Sequence, residues 1–411
     1  MNYIYNIGIQ LIRFGLKGFS LFSDKIRKGN VGRKITFEIL RENLKKTDST
    51  FWFHCASLGE YEQGLPLFNV IRERFPKHKI VLSFFSPSGY EVRKKSPIAD
   101  IVVYLPLDTK SNAKKFLDIV KPELTVFVKY DIWPNYLMEL KKRQFRAILI
   151  SANFRETQSF FKFYGKPLRD ALFAFEHIFT QNESSKKLLV TIGYDNVTVS
   201  GDTRFDRVSN QLEQNNHLDF VETFKQNKLC VVAGSTWPDD EAFLTEFINN
   251  EFSSNVKFII APHNIKKEQI KSLQEKLVVK SVLFSEKTTE QLKDAQVLIV
   301  DTIGLLSKIY SYADIAFVGG AVGTTGLHNI LEPAVFGVPI IIGSNYSKFP
   351  EAKAMIALKG VFSISTQKEF DFTIMELIKD PTKRSIAGNS NSNYTKENKG
   401  ALNKIMTYLG L

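Results

Sequence analysis

In the first half of the chain, a short apolar run is followed by a loop of small residues and then by a carboxylate. The segment reads His54-Cys55-Ala56-Ser57-Leu58-Gly59-Glu60, and the apolar run covers residues 51–54. Such a loop exposes backbone N–H groups at a helix start. Glu60 can then act as a general base if its surroundings tune its pKa. Taken alone, the segment fits a plain helix-start carboxylate better, because the helix dipole favours negative charge there.

Three further segments place charged residues directly after apolar runs, at 129–135, 151–155 and 201–206. Lys129 and Asp131 lie two positions apart before a Trp-Pro pair, which indicates an ordered loop with both charges available. The alternative is a solvated turn beside a core tryptophan. Arg155 and Arg204 suit charge-assisted hydrogen bonds to a carboxylate or phosphate. Each arginine alone is weak evidence, because surface arginines are common.

A glycine-rich loop in the second half lies between an apolar run and a predicted helix. It begins at Gly319-Gly320 and continues through Gly323 and Gly326 to His328-Asn329-Ile330-Leu331-Glu332-Pro333. Glycines let the backbone approach a phosphate, and a helix N-terminus favours the negative charge. On a helix Asn329 and Glu332 share a face, where a carboxylate can accept both hydroxyls of a ribose. The alternative is a tight loop that merely needs glycines.

Neither the loop nor the cysteines and histidines match a common cofactor or metal motif. The loop fits neither the phosphate-binding pattern of ATPases nor a clean dinucleotide fingerprint. The six histidines show no zinc spacing, and Cys55 and Cys230 lie far apart. We therefore expect no metal and no cofactor. Two cysteines also form no disulfide framework, which favours a reducing compartment. A His54-Cys55 nucleophile pair is disfavoured, because adjacent strand residues point to opposite faces.

Strands and helices in alternation must position these segments. Short apolar runs alternate with amphipathic stretches from residue 51, which predicts parallel sheets with helices on both faces. Ligands of such sheets bind beyond the carboxyl ends of the strands, so we expect two α/β domains with a substrate cleft between them. Helices are predicted at 61–75 and 112–120, among others. Strands are predicted at 51–54, 79–84, 101–104, 124–128, 147–150, 177–180 and 197–200, and then at 229–234, 257–261, 279–284, 297–300, 315–319 and 339–343.

Length and charge narrow the function classes. The chain has 411 residues, 44% of them hydrophobic and 24% charged, which suits two globular domains. Its net charge is +12, and proteins with such an excess of positive charge usually bind nucleic acid, an anionic membrane surface or an acidic substrate. Nucleic acid is disfavoured, because the basic residues are spread out and no recognised nucleic-acid-binding module is present.

The first 25 residues have the pattern of a helix with a broad apolar face. Such a helix suits a membrane interface, and packing on the protein core is the alternative. No charge-free apolar segment is long enough to span a bilayer, and no signal-peptide cleavage site follows. The polar residues fall in a stripe about 80° wide, made of Asn2, Asn6, Gln10, Arg13, Lys17, Ser20 and Asp24. The basic run that follows could meet anionic headgroups and contains Lys25, Arg27, Lys28, Arg33 and Lys34.

In this order, the segments resemble the 3-deoxy-D-manno-octulosonic acid (Kdo) transferases of lipopolysaccharide synthesis. The resemblance runs over nearly the whole chain. No single piece is decisive, but seven pieces in the right order are specific. They are His54 to Glu60, Trp133-Pro134-Asn135, Asn153-x-Arg155, Gly201-x-x-Arg204-Phe205-Asp206, Gly234-Ser235-Thr236, Asp301-Thr302-x-Gly304, and Gly319-Gly320 through His328-Asn329-x-x-Glu332-Pro333-Ala334.

The resemblance implies a glycosyltransferase B architecture, with two Rossmann-like domains facing a cleft. It implies transfer of Kdo from CMP-Kdo to a glucosamine hydroxyl of the lipid A precursor, without a metal. We expect displacement with inversion at the anomeric carbon, on the cytoplasmic face of the bacterial inner membrane. The N-terminal helix would be peripheral or monotopic on that anionic surface. The expected parts are 1–35 (membrane helix and basic segment), 36–210 (acceptor-side domain), 211–228 (linker), 229–391 (CMP-sugar domain) and 392–411 (last helix).

The resemblance also implies roles for individual residues. Glu60 matches the family's catalytic base, and Arg204 falls where the family usually has a lysine thought to support the transition state. Lys129 and Asp131 are candidates for the same support, and Arg155 and Ser57 for binding the Kdo carboxylate or a phosphate. The segments expected to bind CMP contain Pro262, His263, Ile303, Gly304, Leu305, Gly319, Gly320, His328, Asn329, Ile330, Leu331 and Glu332.

Three positions depart from the family pattern. Lys129-Tyr130-Asp131 replaces Glu-Thr-Glu, so Asp131 is left to carry part of the lost acid's role. His263 replaces an arginine and can be neutral at pH 7, and Leu305 replaces an acid. We interpret these as variation within a lineage, because Glu60 and the pair Asn329 and Glu332 remain. The rivals are another nucleotide-sugar enzyme of this architecture, such as an epimerase or a different lipid-linked glycosyltransferase, and a non-enzymatic nucleic-acid-binding protein.

Overall fold

The computed structural model describes residues 3–20, 22–250 and 255–411, without the side chains of Tyr3, Ile4, Arg13 and Lys17. The chain divides into two compact units. Unit 1 is Met1–Arg207 with Lys399–Leu411, and unit 2 is Val208–Asn398. Each unit is an α/β unit with a parallel sheet, which confirms the architecture that the alternating pattern predicts.

Unit 1 is built on a sheet whose seven described strands all run parallel, in the order β3-β2-β1-β4-β5-β6-β7. Every residue of its first strand is buried, as expected where helices cover both faces of a sheet. The winding direction reverses between the first and the fourth strand, which leaves a crevice beyond their carboxyl ends. The strands are β1 (Thr50–Cys55), β2 (Lys79–Phe84), β3 (Ile101–Tyr104), β4 (Leu124–Val128), β5 (Arg146–Ala152), β6 (His177–Thr180) and β7 (Val197–Val199).

Helices lie on both faces of this sheet, where they form two hydrophobic clusters of buried side chains. Several helix starts carry a side-chain cap, which satisfies a backbone N–H that the helix itself leaves unpaired. The helices are α1 (Tyr3–Phe19), α2 (Asp24–Asn43), α3 (Leu58–Arg74), α4 (Pro87–Arg93), α5 (Lys110–Val120), α6 (Pro134–Lys142), α7 (Lys166–Leu172), α8 (Glu183–Thr191) and α9 (Thr203–Ser209).

The N-terminal region is two helices rather than one. α1 ends at Phe19, and Ser23 caps α2 by accepting a hydrogen bond from Ile26 N. Apolar side chains of α1 are exposed, among them Leu11 (67%) and Phe14 (71%). Of the predicted polar stripe, Asn2 and the side chains of Arg13 and Lys17 lie outside the described part. No described helix is long and apolar enough to cross a membrane.

Unit 2 repeats the plan of unit 1, with seven described parallel strands in the order β10-β11-β9-β8-β12-β13-β14. The crevice of this sheet lies beyond β8 and β12. The strands are β8 (Leu229–Thr236), β9 (Val256–Pro262), β10 (Ser281–Leu283), β11 (Val297–Ile299), β12 (Ile315–Val318), β13 (Ile340–Gly343) and β14 (Val361–Ile364). The helices are α10 (Asp219–Lys225), α11 (Pro238–Asn250), α12 (Lys267–Glu275), α13 (Thr289–Asp294), α14 (Leu306–Ile309), α15 (Leu331–Ala334), α16 (Pro350–Ala357), α17 (Gln367–Lys379) and α18 (Pro381–Asn398).

The end of the chain returns to unit 1. The helix α19 (Ala401–Leu409) buries Ile405 in the hydrophobic cluster beneath α3. Gly400, with φ of 115°, separates it from α18, so the predicted segment 392–411 spans parts of two helices. Gly400 N also donates to Asp206 Oδ1 at 2.9 Å. The predicted linker 211–228 lies inside unit 2, where α10 buries Phe224.

Candidate active site

Glu60 lies at the start of α3, directly after the strand β1. Ser57 precedes the helix in an extended conformation without a side-chain cap, and the Glu60 carboxylate reaches back to accept a hydrogen bond from Ala56 N. The side chain of Glu60 is buried. Burial and the negative charge of Asp131 raise the pKa of Glu60 to about 8, although the N–H groups of Ala56 and Ser57 and the charge of Lys129 oppose the shift.

Asp131 is held by two aromatic residues of the same crevice. Its Oδ2 lies 2.6 Å from His54 Nε2 and accepts a hydrogen bond from Trp133 Nε1 at 2.8 Å. His54 is the fifth residue of β1 and is fully buried, whereas Asp131 follows β4. Since β1 and β4 are neighbours in the sheet, the two loops meet at its carboxyl edge.

The proton of His54 can be assigned from its other neighbour. Ser83 Oγ lies 2.8 Å from His54 Nδ1 and already accepts a hydrogen bond from Trp52 Nε1 at 2.8 Å. The serine hydroxyl lies nearer to Nδ1 than to its other acceptor, Phe53 O at 3.5 Å, so we assign its proton to the bond with Nδ1. The ring proton is then on Nε2 and faces Asp131, to which Trp133 Nε1, 3.0 Å from the same Nε2, also donates. With this assignment, Asp131 accepts two hydrogen bonds on one oxygen, which fixes the position of its charge.

Lys129 also belongs to this crevice. Its φ of 70° turns the chain sharply after β4, and its backbone N–H donates to Ile150 O at 2.8 Å. Its ammonium lies 5.4 Å from the centre of the Tyr130 ring, and its positive charge lowers the pKa of Glu60. The structure thus brings together Glu60, Ser57, Lys129 and Asp131.

The two predicted arginines of unit 1 make contacts within their own loops. Arg204 donates from Nε and Nη2 to Asp202 Oδ2, at 2.9 and 2.8 Å, while its backbone N–H binds Asp202 Oδ1. Its charge is therefore shared with a buried carboxylate. Arg155 is exposed after β5, and its backbone N–H donates to Gln158 within the same loop.

The glycine-rich loop of unit 2 is fixed to the start of α11. Asp240 is fully buried, and its Oδ2 accepts hydrogen bonds from Gly320 N at 2.8 Å and Trp237 N at 2.9 Å. Gly320 has a φ of 95°, and a Cβ on Gly319 would lie 2.5 Å from Ser235 O. The loop therefore needs glycine at both positions. Because it follows β12, it lies at the carboxyl edge of the unit 2 sheet.

Three rings stack beside this loop. Trp237 lies against His263 with ring centres 4.7 Å apart, and the ring centres of His263 and His328 are 4.5 Å apart. Trp237 Nε1 donates to His328 Nε2 at 3.0 Å. Burial lowers the pKa of His263, and burial together with His263 lowers the pKa of His328 to about 4. Both imidazoles are therefore neutral at pH 7.

Asn329 and Glu332 meet, but not on a full helix. Asn329 Nδ2 donates to Glu332 Oε1 at 3.2 Å, and Asn329 Oδ1 accepts from Leu331 N at 3.2 Å. The predicted helix is the four-residue α15, which begins only at Leu331. The amide bridges the turn and holds the carboxylate in one orientation.

The remaining predicted donor-binding residues differ in how far a ligand can reach their side chains. Ile330 and Leu331 are buried in the core, so of these two residues only backbone atoms can contact a ligand. Ile303 is 80% exposed, and Gly304 has a φ of 91°. Leu305 is the N-cap residue before α14, and Pro262 ends β9.

Sequence reasoning missed Trp237, Asp240 and Ser83. The first follows the segment Gly234-Ser235-Thr236 directly, so its place beside the motif was the available signal. Ser83 and Asp240 were missed because the contacts that tie them to the site, with His54 and Gly320, join distant parts of the chain. Over the described ranges, no group of three or more His, Cys, Asp or Glu side chains could hold a metal ion.

Comparisons with known proteins show which family the chain belongs to. Residues 32–207 match the family model described as 3-deoxy-D-manno-octulosonic-acid transferase (kdotransferase). The 3-deoxy-D-manno-octulosonic acid transferase of Haemophilus influenzae is 28% identical over 372 residues, which cover 87% of this chain and 86% of that protein. The transferase of the same name from Chlamydophila psittaci is 30% identical over 321 residues, covering 75% and 72%.

The fold has likenesses outside that family. The crystal structure of UDP-GlcNAc 2-epimerase from Neisseria meningitidis bound to UDP-GlcNAc matches with a TM-score of 0.61 at 15% identity, covering 89% of this chain and 100% of that one. This likeness shows the glycosyltransferase B type of fold alone. The family match and the two sequence relatives show that the chain belongs to the 3-deoxy-D-manno-octulosonic acid transferase family and is a glycosyltransferase.

Proposed function

We propose that this protein transfers Kdo from CMP-Kdo to a glucosamine hydroxyl of the lipid A precursor, with inversion and without a metal or cofactor. The observation that carries the proposal is the carboxylate of Glu60. It is buried at the carboxyl edge of β1, and its pKa is raised to about 8. Family membership supports the choice of donor sugar and acceptor.

Glu60 is suited to take the proton of the acceptor hydroxyl. A general base is most effective when its pKa lies near the working pH, and burial beside Asp131 brings Glu60 into that range. The proton of the hydroxyl moves to the carboxylate as the new C–O bond forms at the anomeric carbon. The bond from that carbon to the phosphate oxygen breaks, and CMP leaves. A displacement of this kind inverts the anomeric centre.

The cations of unit 1 support the charges of this reaction. Lys129 lies close enough to Glu60 to lower its pKa, so it stabilises negative charge in the crevice. Arg204 is a further candidate to bind the carboxylate of Kdo or to stabilise the developing transition state. Its pairing with Asp202 orients the guanidinium, and the carboxylate partly offsets its positive charge.

The donor-binding groups belong to unit 2. The glycine-rich loop can be approached by a phosphate at Gly326, where a Cβ would meet open space, whereas the side-chain space of Gly319 and Gly320 is filled by the protein itself. The half-buried carboxylate of Glu332, oriented by Asn329, is suited to accept the ribose hydroxyls. The neutral His263 and His328 offer ring faces and hydrogen bonds without a fixed charge.

The N-terminal helix supports a location on the cytoplasmic face of the inner membrane. Ile7, Leu11 and Phe14 of α1 are 60 to 71% exposed, and Phe22 before α2 is 88% exposed. Exposed apolar side chains on one amphipathic helix suit insertion into a membrane interface. A lipid acceptor would be met at that surface.

The test is direct. Purified protein is incubated with CMP-Kdo, generated in situ, and tetraacylated lipid A precursor in detergent, and the lipid is followed by mass spectrometry. A mass gain of one Kdo unit supports donor, acceptor and reaction together. An unchanged lipid with CMP still bound would favour the alternative of another nucleotide-sugar enzyme, whose present support is the fold of the Neisseria epimerase.

A further inference from the structure

Unit 1 contains a cavity of about 830 Å³ between α1, α2 and the start of α5. It is lined by polar residues of α1, such as Asn6 and Gln10, and by basic residues of the other two helices. Among the described lining residues, five are basic and none is acidic; the basic ones are Arg27, Arg33, Lys34, Lys110 and Lys115.

Arg33 contributes a positive charge, and it donates hydrogen bonds to neutral backbone carbonyls. Its Nε donates to Leu105 O at 3.2 Å and its Nη2 to Phe85 O at 2.6 Å, and the guanidinium lies 4.3 Å from the centre of the Phe85 ring. Burial lowers the pKa of Arg33. A Cβ on Gly29 would lie 2.8 Å from its Nη1, so glycine makes room for the guanidinium. Arg33 belongs to the basic run that the sequence analysis expects to meet anionic headgroups, and it forms part of the wall of this cavity.

Two carboxylates close in sequence to lining residues are already engaged. Asp24 pairs with Arg27 and Lys28. Asp108 is fully buried, and its oxygens accept hydrogen bonds from the Tyr5 hydroxyl at 2.6 Å and from the backbone of Asn135 and Tyr136. The remaining positive charge of the cavity therefore favours an anion from outside the chain.

The cavity borders an apolar surface. Asn6 and Gln10 line it, and on the same helix Ile7 and Leu11 are 60% and 67% exposed. Val31 of α2 also lines the cavity and is 55% exposed. A ligand with an anionic head and apolar chains matches this combination, because the head can enter the basic cavity while the chains lie along α1.

We propose that this cavity binds the phosphate group of a membrane lipid. Arginine and lysine are the side chains that phosphate groups prefer, and the volume accommodates a headgroup rather than a lone ion. Two lipids could supply the phosphate, a phosphorylated glucosamine acceptor or a phospholipid of the bilayer. Binding of a lipid phosphate in this cavity is a property separate from the proposed transfer, and it is measured without turnover.

The experiment compares two triple variants of the full chain. The cavity variant carries Lys34→Ala, Lys110→Ala and Lys115→Ala, and the control variant carries Lys114→Ala, Lys142→Ala and Lys187→Ala. All six lysines are exposed in unit 1, and the control set lies outside the cavity lining. Both variants lose three charges, and Lys114 and Lys115 are neighbours on α5. Thermal unfolding checks that both remain folded.

Binding is measured by co-sedimentation with two kinds of phosphatidylcholine vesicles, containing either phosphatidylglycerol or tetraacylated lipid A precursor. We expect the cavity variant to bind one kind at least about tenfold more weakly than wild type, and the control variant to change by less than about twofold. The vesicle that shows this difference identifies the source of the phosphate. Equal losses for both variants, or no loss for either, would overturn the proposal.

Discussion

The Nε2 of His54 lies 2.6 Å from the Oδ2 of Asp131, although 77 positions separate the two residues in the chain. They meet because β1 and β4 are adjacent parallel strands, with His54 opposite Phe127. The imidazole and the indole of Trp133 hold the carboxylate at the crevice, where its charge acts on Glu60. The neighbours of the proposed base thus set its proton affinity.

Replacing the proposed base should abolish transfer and leave the donor site intact. We expect Glu60→Gln to lower kcat by about 10²- to 10⁴-fold, because proton transfer by a positioned base contributes on that order. CMP affinity, measured by calorimetry, should stay unchanged, since the proposed donor-binding groups lie in unit 2. Glu38→Gln, at an exposed carboxylate of unit 1, is the control. Normal turnover by the Glu60 variant would refute its role.

The charges around Glu60 should move the pH dependence of the rate in opposite directions. Only ionised Glu60 accepts a proton, so kcat/KM should rise with pH and level off above about 8. Asp131→Asn removes a negative charge that raises the pKa of Glu60, so the rising limb should shift to lower pH. Lys129→Met removes a positive charge that lowers this pKa, so its limb should shift to higher pH.

Matched controls test whether these shifts are local. Asp195→Asn and Lys142→Met change the same charges at exposed positions of unit 1 and should leave the pH profile in place. Profiles of kcat/KM for all four variants are compared over pH 5.5 to 9.5, a range chosen to bracket a pKa of about 8. Shifts of the same sign for Asp131→Asn and Lys129→Met would contradict the electrostatic account.

His263 should make donor binding depend on pH. Burial lowers its pKa, so the wild-type ring is neutral at pH 7 and gains its charge only at more acidic pH. We expect His263→Arg to bind CMP about three- to tenfold more tightly at pH 7, because the guanidinium is always charged and stacks well on Trp237. CMP binding by wild type should tighten as pH falls, and the variant should lose this pH dependence. His217→Arg, at an exposed site in unit 2, is the control, and an unchanged affinity for His263→Arg would place this residue away from the phosphate.

The glycine-rich loop should tolerate a side chain at one bend but not at the other. Gly320 and Gly326 both have positive φ, of 95° and 101°, but a Cβ on Gly320 would lie 2.1 Å from Gly326 O, whereas a Cβ on Gly326 meets open space. We expect Gly326→Ala to cost about 1 kcal/mol and Gly320→Ala about 3 kcal/mol or more. Calorimetry would follow the unfolding transition that CMP stabilises. Equal losses would show that backbone strain alone decides the effect.

The sequence predicts the sheets well because each buried strand leaves a local apolar run. The predicted runs at 79–84, 101–104 and 124–128 coincide with β2, β3 and β4. The strand β14 (Val361–Ile364) escaped prediction, since it has four residues and two of them are only half-buried. The helix α2 was seen only as a basic run, because its charges hide the sparse buried positions Gly29, Thr36 and Leu40.

The candidate site was predicted in part for a similar reason. Glu60, Asn329 and Glu332 stand inside short motifs, and the resemblance to the Kdo transferases singles these motifs out. The contacts that set their chemistry join loops from neighbouring strands, as between His54 and Asp131 or between Asp240 and Gly320. Such pairs depend on strand order, which a linear pattern does not contain.

The return of α19 to unit 1 makes the first unit the last to be completed during synthesis. A ribosome that has released residues up to Arg207 has supplied all seven described strands of unit 1, but not Ile405 or the Gly400 N–H that binds Asp206. The nascent unit must wait, with part of its core uncovered, until the intervening 191 residues of unit 2 (208–398) have emerged. A premature stop or a protease cut near residue 400 would therefore damage unit 1, which carries Glu60, although the cut lies directly after the last residue of unit 2.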